Sequence, residues 1–374
     1  METPPATPCS STPPTLPFDQ RLIVVSNRLP VTLKRSSDGK YEFKRSSGGL
    51  ATGISGVKRD NQMLWYGWPG LEIPKSEELE IAQSLRQHHG AIPVPVAGDV
   101  AELYDNGFSN STMWPLLHYQ PNAIRFDQNE WQAYRKVNKA FADKLVEEVD
   151  EGDVVWVHDY HLMLLPTMLY EAAADRGKQL TIGFFLHTPF PTADMFKVVP
   201  HWEELIEGVL RCRLFGFHTQ AYAQNFKRIC GDYLGFKQFP SGIQRDGNFI
   251  DLGVYPIGID VPKFVEHVQK PDVDERVEKF RSRYRVSKLI IGVDRLDYIK
   301  GIPQKLKALE SILDRNPSWV GLVTMIQVAV PSRETVKDYK ALADELHRQV
   351  DRLNTKYGSD DYKPVHFLHQ SVPF

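Results

Sequence analysis

Two basic side chains stand close together where an apolar run ends late in the chain. The run Leu289 to Val293 leads into Arg295, and a short loop then supplies Lys300 before a helix that we predict to begin near Pro303. Helix N-termini bind anions, arginine and lysine bind phosphate oxygens, and proline suits the first turn of a helix. The segment therefore suits a diphosphate. Spacing alone leaves a solvated basic loop as the alternative.

Histidines follow two other apolar runs. In GFFLHTPFP, His187 comes directly after the run and two prolines stiffen the chain beyond it, so its ring can donate to a bound ligand. In VVWVHDYHLMLLP, the run is followed by His158, Asp159 and His161, and the aspartate suits sugar hydroxyl groups. A satisfied core histidine is the alternative for His187. A metal is the alternative for the His-x-x-His spacing, but no third ligand has suitable spacing.

Near the start of the chain, Arg28 follows the first apolar run, and Gly48 and Gly49 open a predicted helix that contains Leu50, Ile54 and Val57. Glycines let backbone N–H groups approach a ligand closely, although an ordinary turn is the alternative. The sequence contains no Walker loop, dinucleotide fingerprint, nucleophile elbow or zinc motif. The candidates together predict an anion pocket in each half with hydroxyl-binding groups between them, which fits a phosphorylated or nucleotide-linked sugar.

Strands that alternate with helices must position these side chains. The predicted buried strands are Leu22–Val25, Val154–Val157, Ile182–Leu186, Leu214–Phe217 and Leu289–Val293. The predicted elements between them are a hairpin over Lys34–Tyr41 that turns at Asp38-Gly39, and helices over Trp131–Val149 and Tyr222–Tyr233. This alternation predicts parallel, doubly wound sheets, in which ligands bind beyond the carboxyl ends of the strands. The segment Val254–Asp260 interrupts the pattern and predicts a domain boundary.

Bulk composition narrows the class of protein. The chain has 374 residues, 42% of them hydrophobic and 25% charged, with a formal net charge of −2, which gives no reason to expect a nucleic-acid or membrane partner. Its three cysteines fit reduced thiols. The N-terminal stretch is rich in Pro, Ser and Thr and predicts a disordered tail rather than a secretory signal. We therefore expect a cytoplasmic protein of two domains.

Nine motifs resemble those of one family. They occur in the order found in trehalose-6-phosphate synthases, and their residues resemble those of fungal members. The motifs are VVSNRLP, SSGGLATGI, WYGWPG, NGFSNSTMWPLLHY, VVWVHDYHLMLLP, GFFLHTPFP, VYPIGID, VDRLDYIKG and VAVPSR. The resemblance implies an α/β fold of two Rossmann-like domains facing across a cleft, called GT-B. It implies transfer of glucose from UDP-glucose to glucose 6-phosphate with retention, in a front-face reaction and without a metal or other cofactor.

The resemblance also implies residue roles. Arg28 and Arg333 would bind the acceptor phosphate, Asp159 the acceptor hydroxyls, and Trp114 would shape the acceptor pocket. On the donor side the implied residues are Gly48, Gly49, His187, Arg295 and Lys300. The implied catalytic residues are His187, Arg295, Lys300 and Asp159, with the two cations neutralising the charge that grows on UDP.

Two departures from the family pattern bear on these expectations. The family usually has Tyr directly before Asn-Gly-Phe-Ser-Asn, where it helps to hold the acceptor phosphate, whereas this chain has Asp105, with Tyr104 one residue earlier. An acid there would repel phosphate unless it points away and Tyr104 reaches in. The family also continues beyond Phe374, so we expect a truncated chain whose second domain is incomplete, with unpaired strands and an uncovered hydrophobic face.

The resulting domain prediction has three parts: a disordered tail over 1–20, an acceptor-binding Rossmann-like domain over 21–258, and a partial UDP-glucose-binding domain over 259–374. The resemblance implies a homo-oligomer or a complex with trehalose-6-phosphate phosphatase and regulatory subunits. A non-catalytic regulatory subunit or inactive relative is the main alternative. Another GT-B enzyme, such as a glycogen-type synthase or a sugar phosphorylase, is disfavoured. A phosphorylase would need a pyridoxal-phosphate lysine site, and none can be placed.

Overall fold

The computed structural model describes residues 20–37, 39–46, 49–54, 63–284, 288–331 and 337–372. The chain separates into two compact units, Met1–Ile259 and Asp260–Phe374. Several predicted features lie outside the described residues, namely the tail to residue 19, the turn residue Asp38, Gly48, Val57 and Arg333.

The strands of the first unit are β1 Leu22–Arg28, β2 Val31–Arg35, β3 Tyr41–Arg45, β4 Met63–Trp68, β5 Ala91–Pro93, β6 Val154–His158, β7 Thr181–Phe185, β8 Leu214–Phe217, β9 Lys237–Phe239, β10 Gly242–Arg245 and β11 Asn248–Val254. The predicted apolar runs form β1, β6, β7 and β8. Among the described residues, nine of them make one sheet in the order β5-β4-β1-β6-β7-β8-β11-β10-β9, and β2 pairs with β3 as an antiparallel hairpin. The sheet is parallel from β5 to β11.

The interior strand β1 extends further along the chain than its apolar run predicts. Ile23, Val24 and Val25 have no exposed surface, as expected of a strand covered on both faces. The prediction that the strand breaks after Val25 was wrong, because pairing with β4 resumes at Arg28 after a register shift. The Ser26 hydroxyl closes this irregularity by donating to the Arg28 carbonyl oxygen at 2.7 Å.

Helices alternate with these strands. They are α1 Gly49–Ile54, α2 Glu78–His89, α3 Gly98–Ala101, α4 Trp114–Leu117, α5 Gln128–Glu148, α6 Leu165–Ala174, α7 Ala193–Phe196, α8 Trp202–Val209 and α9 Gln220–Arg228. A π-helical segment, Glu102–Met113, is kinked at Gly107 and joins α3 to α4, and a second one, Ile229–Tyr233, continues α9. The long helix α5 starts three residues before its predicted start because the Asp127 carboxylate caps it, accepting from Asn129 N at 2.7 Å.

The second unit is a smaller parallel sheet with helices. Its strands are β12 Lys288–Arg295, β13 Val323–Val330 and β14 Val365–Leu368, and its helices are α10 Val261–Val268, α11 Pro271–Arg283, α12 Ile302–Arg315 and α13 Lys337–Tyr357. The described strands lie in the order β12-β13-β14. The predicted stripe of α12 is buried at Leu306, Leu309 and Leu313, while Ile312 is half-buried. Within the described ranges, no helix combines the length and apolarity that spanning a membrane requires.

Candidate functional site

Three predicted site residues lie at one edge of the large sheet. Arg28 ends β1, Asp159 directly follows β6, and His187 lies two residues beyond β7. These strands are parallel neighbours, so their carboxyl ends meet at the same edge. Asp159 and His187 are in direct contact, because the His187 backbone N–H donates to Asp159 Oδ1 at 3.2 Å. Asp159 has φ of +72°, an unusual backbone geometry for a residue other than glycine.

The Arg28 guanidinium is held on three sides. It donates from Nη2 to Asp105 Oδ2 at 2.7 Å and lies over the Trp68 ring at 4.0 Å from the ring centre. Gly70 packs against it so closely that an added Cβ would lie 2.2 Å from Nη1. The side chain nevertheless keeps 49% of its surface exposed. It can therefore bind a further anion without leaving its place.

Asp105 joins the end of β1 to the turn after β6. Its Oδ1 accepts from Asn27 Nδ2 at 2.9 Å and lies 4.0 Å from His161 Nε2. Burial raises the pKa of Asp105, but Arg28, His161 and the hydrogen bonds together outweigh burial and hold the pKa below its ordinary value. The sequence left open that Asp105 points away and Tyr104 reaches in, whereas the structure directs Asp105 to Arg28. Tyr104 is fully buried and donates to the His161 carbonyl oxygen at 3.3 Å, since the π-helical segment turns it inward.

His158 orients His187. His158 Nδ1 and His187 Nε2 are 3.0 Å apart, and His158 Nε2 is buried with no hydrogen-bond partner among the described residues. A buried N–H without an acceptor is costly, so the proton of His158 belongs on Nδ1, where it is donated to His187. His187 then carries its own proton on Nδ1. Burial lowers the pKa of His158 well below its ordinary value and lowers that of His187, which keeps both rings neutral.

Both of these histidines line a cleft of about 1020 Å³ in the first unit. Its walls are mostly apolar, including Trp156, Phe185 and Ile54. Large apolar clefts with a few polar groups are typical of small-molecule sites. Gly49, at the start of α1, is exposed, and a Cβ added there would meet no atom of the described residues within 4 Å. Space at Gly49 is therefore open to a ligand.

Trp114 begins α4 and is buried, with 7% of its surface exposed. Its ring lies 4.0 Å from the ring of His118 and 5.9 Å from that of Tyr160, measured between ring centres. Tyr160 directly follows Asp159, so Trp114 supports the wall behind that aspartate.

In the second unit, the predicted cations lie on a braced loop. Arg295 is the exposed last residue of β12, and Lys300 ends a single helical turn that starts at Tyr298. Asp297 fixes this loop from within, because it is fully buried and accepts from Ile299 N at 3.1 Å and from the Tyr339 hydroxyl at 3.2 Å. The loop thereby presents both cations at the end of β12.

Sequence reasoning missed the partner of Asp294. Its carboxylate is neutralised by Lys305 at 2.6 Å and accepts from Gln327 Nε2 at 2.9 Å. Lys305 lies in the first turn of α12, from which its side chain reaches back to Asp294 near the end of β12. Asp294 is thus satisfied locally, and Arg295 and Lys300 form no ion pair within the described part of the chain.

Some other features were also missing from the sequence reasoning. No signal along the chain pairs Asp105 with Arg28, which are 77 residues apart. Gly70 lies in the motif WYGWPG and has a positive φ of +89°. The only sign of this in the sequence is that the glycine follows a proline. For the described ranges, no group of three or more His, Cys, Asp or Glu side chains is arranged to hold a metal ion.

Comparison with known proteins identifies relatives along the chain. Residues 20–374 match glycosyltransferase family 20. The chain is 49% identical over 356 residues to an alpha,alpha-trehalose-phosphate synthase [UDP-forming] of Aspergillus fumigatus, covering 95% of this chain and 69% of the relative. It is 46% identical to the 56 kDa subunit of the corresponding synthase of Kluyveromyces lactis, covering 94% of this chain and 73% of that protein.

Solved structures give a consistent picture. A synthase from Burkholderia xenovorans in complex with glucose-6-phosphate has a TM-score of 0.80 at 28% identity, over 94% of this chain and 75% of that one. An E. coli protein bound with UDP-2-fluoro glucose has a TM-score of 0.80 at 28% identity, over 95% and 74%. The N-terminal domain of a Candida albicans trehalose-6-phosphate phosphatase has a TM-score of 0.82 at 26% identity, over 97% and 75%.

Proposed function

This chain belongs to glycosyltransferase family 20, and on that premise we propose that it makes trehalose 6-phosphate and UDP from UDP-glucose and glucose 6-phosphate. The observation that carries the proposal is the 49% identity to a UDP-forming synthase over 95% of the chain. The side chains at the edge of the large sheet provide the chemistry that this reaction needs.

Acceptor binding is assigned to the end of β1 and the turn after β6. Arg28 is a fixed, half-exposed guanidinium, which suits bidentate contact with a phosphate. Asp159 presents a carboxylate to sugar hydroxyl groups, and Trp114 buttresses the turn that carries it. Arg333 lies outside the described residues, and its contribution to phosphate binding rests on the family resemblance alone.

Donor binding in the first unit is assigned to Gly49 and His187. A ligand can approach the backbone at Gly49, where no described residue fills the space of a side chain. His187 is held neutral with its proton on Nδ1, so it donates a hydrogen bond to a sugar hydroxyl without adding charge. In the second unit, Arg295 and Lys300 are assigned to the diphosphate, whose negative charge grows as the glycosidic bond breaks.

Retention is proposed to follow from a front-face reaction. The C1–O bond to UDP breaks, the acceptor hydroxyl forms the new C1–O bond from the same face, and its proton passes to an oxygen of the leaving phosphate. Asp159 is the carboxylate that directly follows β6, and its Oδ1 already accepts from the His187 backbone. That contact suits an orienting role better than a nucleophilic one. No metal or other cofactor enters this proposal.

UDP release with defined donors and acceptors tests the proposal. The purified chain is given UDP-, ADP- or GDP-glucose together with glucose 6-phosphate, glucose or fructose 6-phosphate. We expect UDP release to require both UDP-glucose and glucose 6-phosphate. Equal release when the acceptor is omitted would identify a hydrolase and refute the proposal.

A non-catalytic subunit is the second candidate. The similarity to the N-terminal domain of a trehalose-6-phosphate phosphatase favours it, although that identity is 26% against 49% for the synthase. Under this alternative the chain gives no UDP release in any combination. For the synthase, we also propose a cytoplasmic location. We propose that it forms a homo-oligomer or a complex with a phosphatase and regulatory subunits. The word subunit in a relative's name supports the complex.

A further inference from the structure

The carboxylate of Asp105 already occupies one side of the guanidinium that we assign to the acceptor phosphate. Arg28 Nη2 donates to Asp105 Oδ2 at 2.7 Å, the distance of a strong charge-assisted hydrogen bond. A carboxylate and a phosphate oxygen are equivalent partners for arginine. The protein therefore places its own carboxylate at the guanidinium to which the reaction must bring the phosphate of the acceptor.

This carboxylate is fixed in place. Its side chain is 15% exposed, its other oxygen accepts from Asn27 Nδ2 at 2.9 Å, and His161 stands 4.0 Å away. Arg28 is equally constrained, since it stacks on Trp68 at 4.0 Å. Neither partner can turn away from the other without losing these contacts.

We propose that Asp105 is a specificity-determining residue of the acceptor site, an internal carboxylate that weakens the binding of phosphorylated acceptors at Arg28. The inference rests on the proposed function for the identity of the acceptor. A bound dianion either displaces Asp105 from Arg28 or shares Arg28 with it. Both cases cost binding free energy, because the first breaks a formed pair and the second places like charges side by side.

The proposal predicts a gain on removing one charge. Asp105→Asn keeps the shape of the side chain and can still accept from Asn27, but it no longer neutralises Arg28. We expect Kd for glucose 6-phosphate and for inorganic phosphate to fall by about tenfold, equivalent to about 1.4 kcal/mol. Kd for glucose, which carries no charge, should stay within about twofold.

Asp153 supplies a matched control. Its side chain is 6% exposed and accepts from Arg21 Nη2 at 2.6 Å, so it is also a buried carboxylate paired with an arginine. Arg21 and Asp153 directly precede β1 and β6, at the opposite edge of the same sheet from Arg28. Asp153→Asn therefore reproduces the loss of a buried ion pair away from the acceptor site.

Calorimetric titration of the full chain with inorganic phosphate, glucose 6-phosphate and glucose is the experiment. Tighter binding of both anions to Asp105→Asn, with unchanged affinities in Asp153→Asn, supports the proposal. Unchanged or weaker anion binding by a folded Asp105→Asn protein overturns it. Asp105→Ser serves as a second neutral variant, and failure of both to fold would assign the carboxylate to the fold and overturn the proposal too.

Turnover separates this inference from the proposed function. If Asp105→Asn binds inorganic phosphate more tightly while no variant releases UDP, the synthase assignment fails and the role of Asp105 at an anion site stands. If the wild-type chain releases UDP and Asp105→Asn leaves KM for glucose 6-phosphate unchanged, the synthase assignment stands and the inference fails.

Discussion

Replacing Gly70 with alanine should weaken acceptor binding, although Gly70 itself has no side chain that could contact the acceptor. Gly70 has φ of +89°, and a Cβ there would lie 2.2 Å from Arg28 Nη1. Arg28 must move to relieve this clash, and any movement disturbs its bond to Asp105 and its stacking on Trp68. Gly177→Ala is the control, since Gly177 has φ of +68° and its Cβ would meet no described atom within 4 Å.

The two variants share one cost and differ in another. An L-residue in the left-handed region lowers the free energy of unfolding by about 1–2 kcal/mol, and this loss applies to both variants. Gly70→Ala also loses about 0.5–1 kcal/mol from the arginine–tryptophan contact. The Arg28–Asp105 pair adds at most about 1 kcal/mol, discounted because the Arg28 side chain is 49% exposed. We therefore expect a loss of about 1.5–4 kcal/mol for Gly70→Ala and about 1–2 kcal/mol for Gly177→Ala.

Urea unfolding and steady-state kinetics on both variants provide the assay. Gly70→Ala should raise KM for glucose 6-phosphate by about tenfold, as expected when one charged hydrogen bond to the substrate is misplaced. KM for UDP-glucose should be unchanged in both variants, and Gly177→Ala should keep the wild-type KM for both substrates. If Gly70→Ala retains the wild-type KM for glucose 6-phosphate, Arg28 does not hold the acceptor in the way we infer.

Three further predictions follow from the site. Gly49→Ala should leave stability within about 1 kcal/mol, because alanine favours a helix and meets no neighbour, yet it should raise KM for UDP-glucose severalfold in steady-state kinetics. Arg295→Ala should lower kcat by about 10²–10³ with little change in KM for glucose 6-phosphate, and an unchanged kcat would remove its assigned role. Burial lowers the pKa of His158, His187 and His218, so the unfolded chain binds more protons below about pH 6.5, and stability should fall as pH decreases from there. In unfolding experiments at pH 5–7, His158→Gln should reduce the slope of the free energy of unfolding against pH by at most about 1.4 kcal/mol per pH unit. An unchanged slope would contradict the lowered pKa of His158.

Strand positions were predictable because buried parallel strands are continuous apolar runs. Leu214–Phe217 matches β8 residue for residue, and Val154–Val157 and Leu289–Val293 lie within β6 and β12. The rule that ligands bind at the carboxyl ends of such strands then selected Asp159 and His187, which the structure places in contact. The apolar runs and this one topological rule were therefore enough to predict these strands and the positions of Asp159 and His187.

The remaining contacts depend on tertiary structure that no local pattern encodes. The pairing of Asp105 with Arg28 needs the π-helical segment to lie against β1, and Tyr104 turns inward only because of that segment. Hydrogen bonding between His158 and His187 likewise needs β6 and β7 to be neighbours in register. Charge type and spacing could suggest an anion site, but they could not show that the protein supplies an anion of its own.

Product analysis tests the central claim most directly. The chain is incubated with glucose 6-phosphate and UDP-glucose labelled with ¹³C at C1, and the product is followed by NMR. We predict a 1,1-linked disaccharide phosphate, with the labelled carbon in the α configuration, formed in equal amount to the UDP released. Labelled free glucose, or a β-configured product, would contradict the assignment of this chain as a retaining synthase.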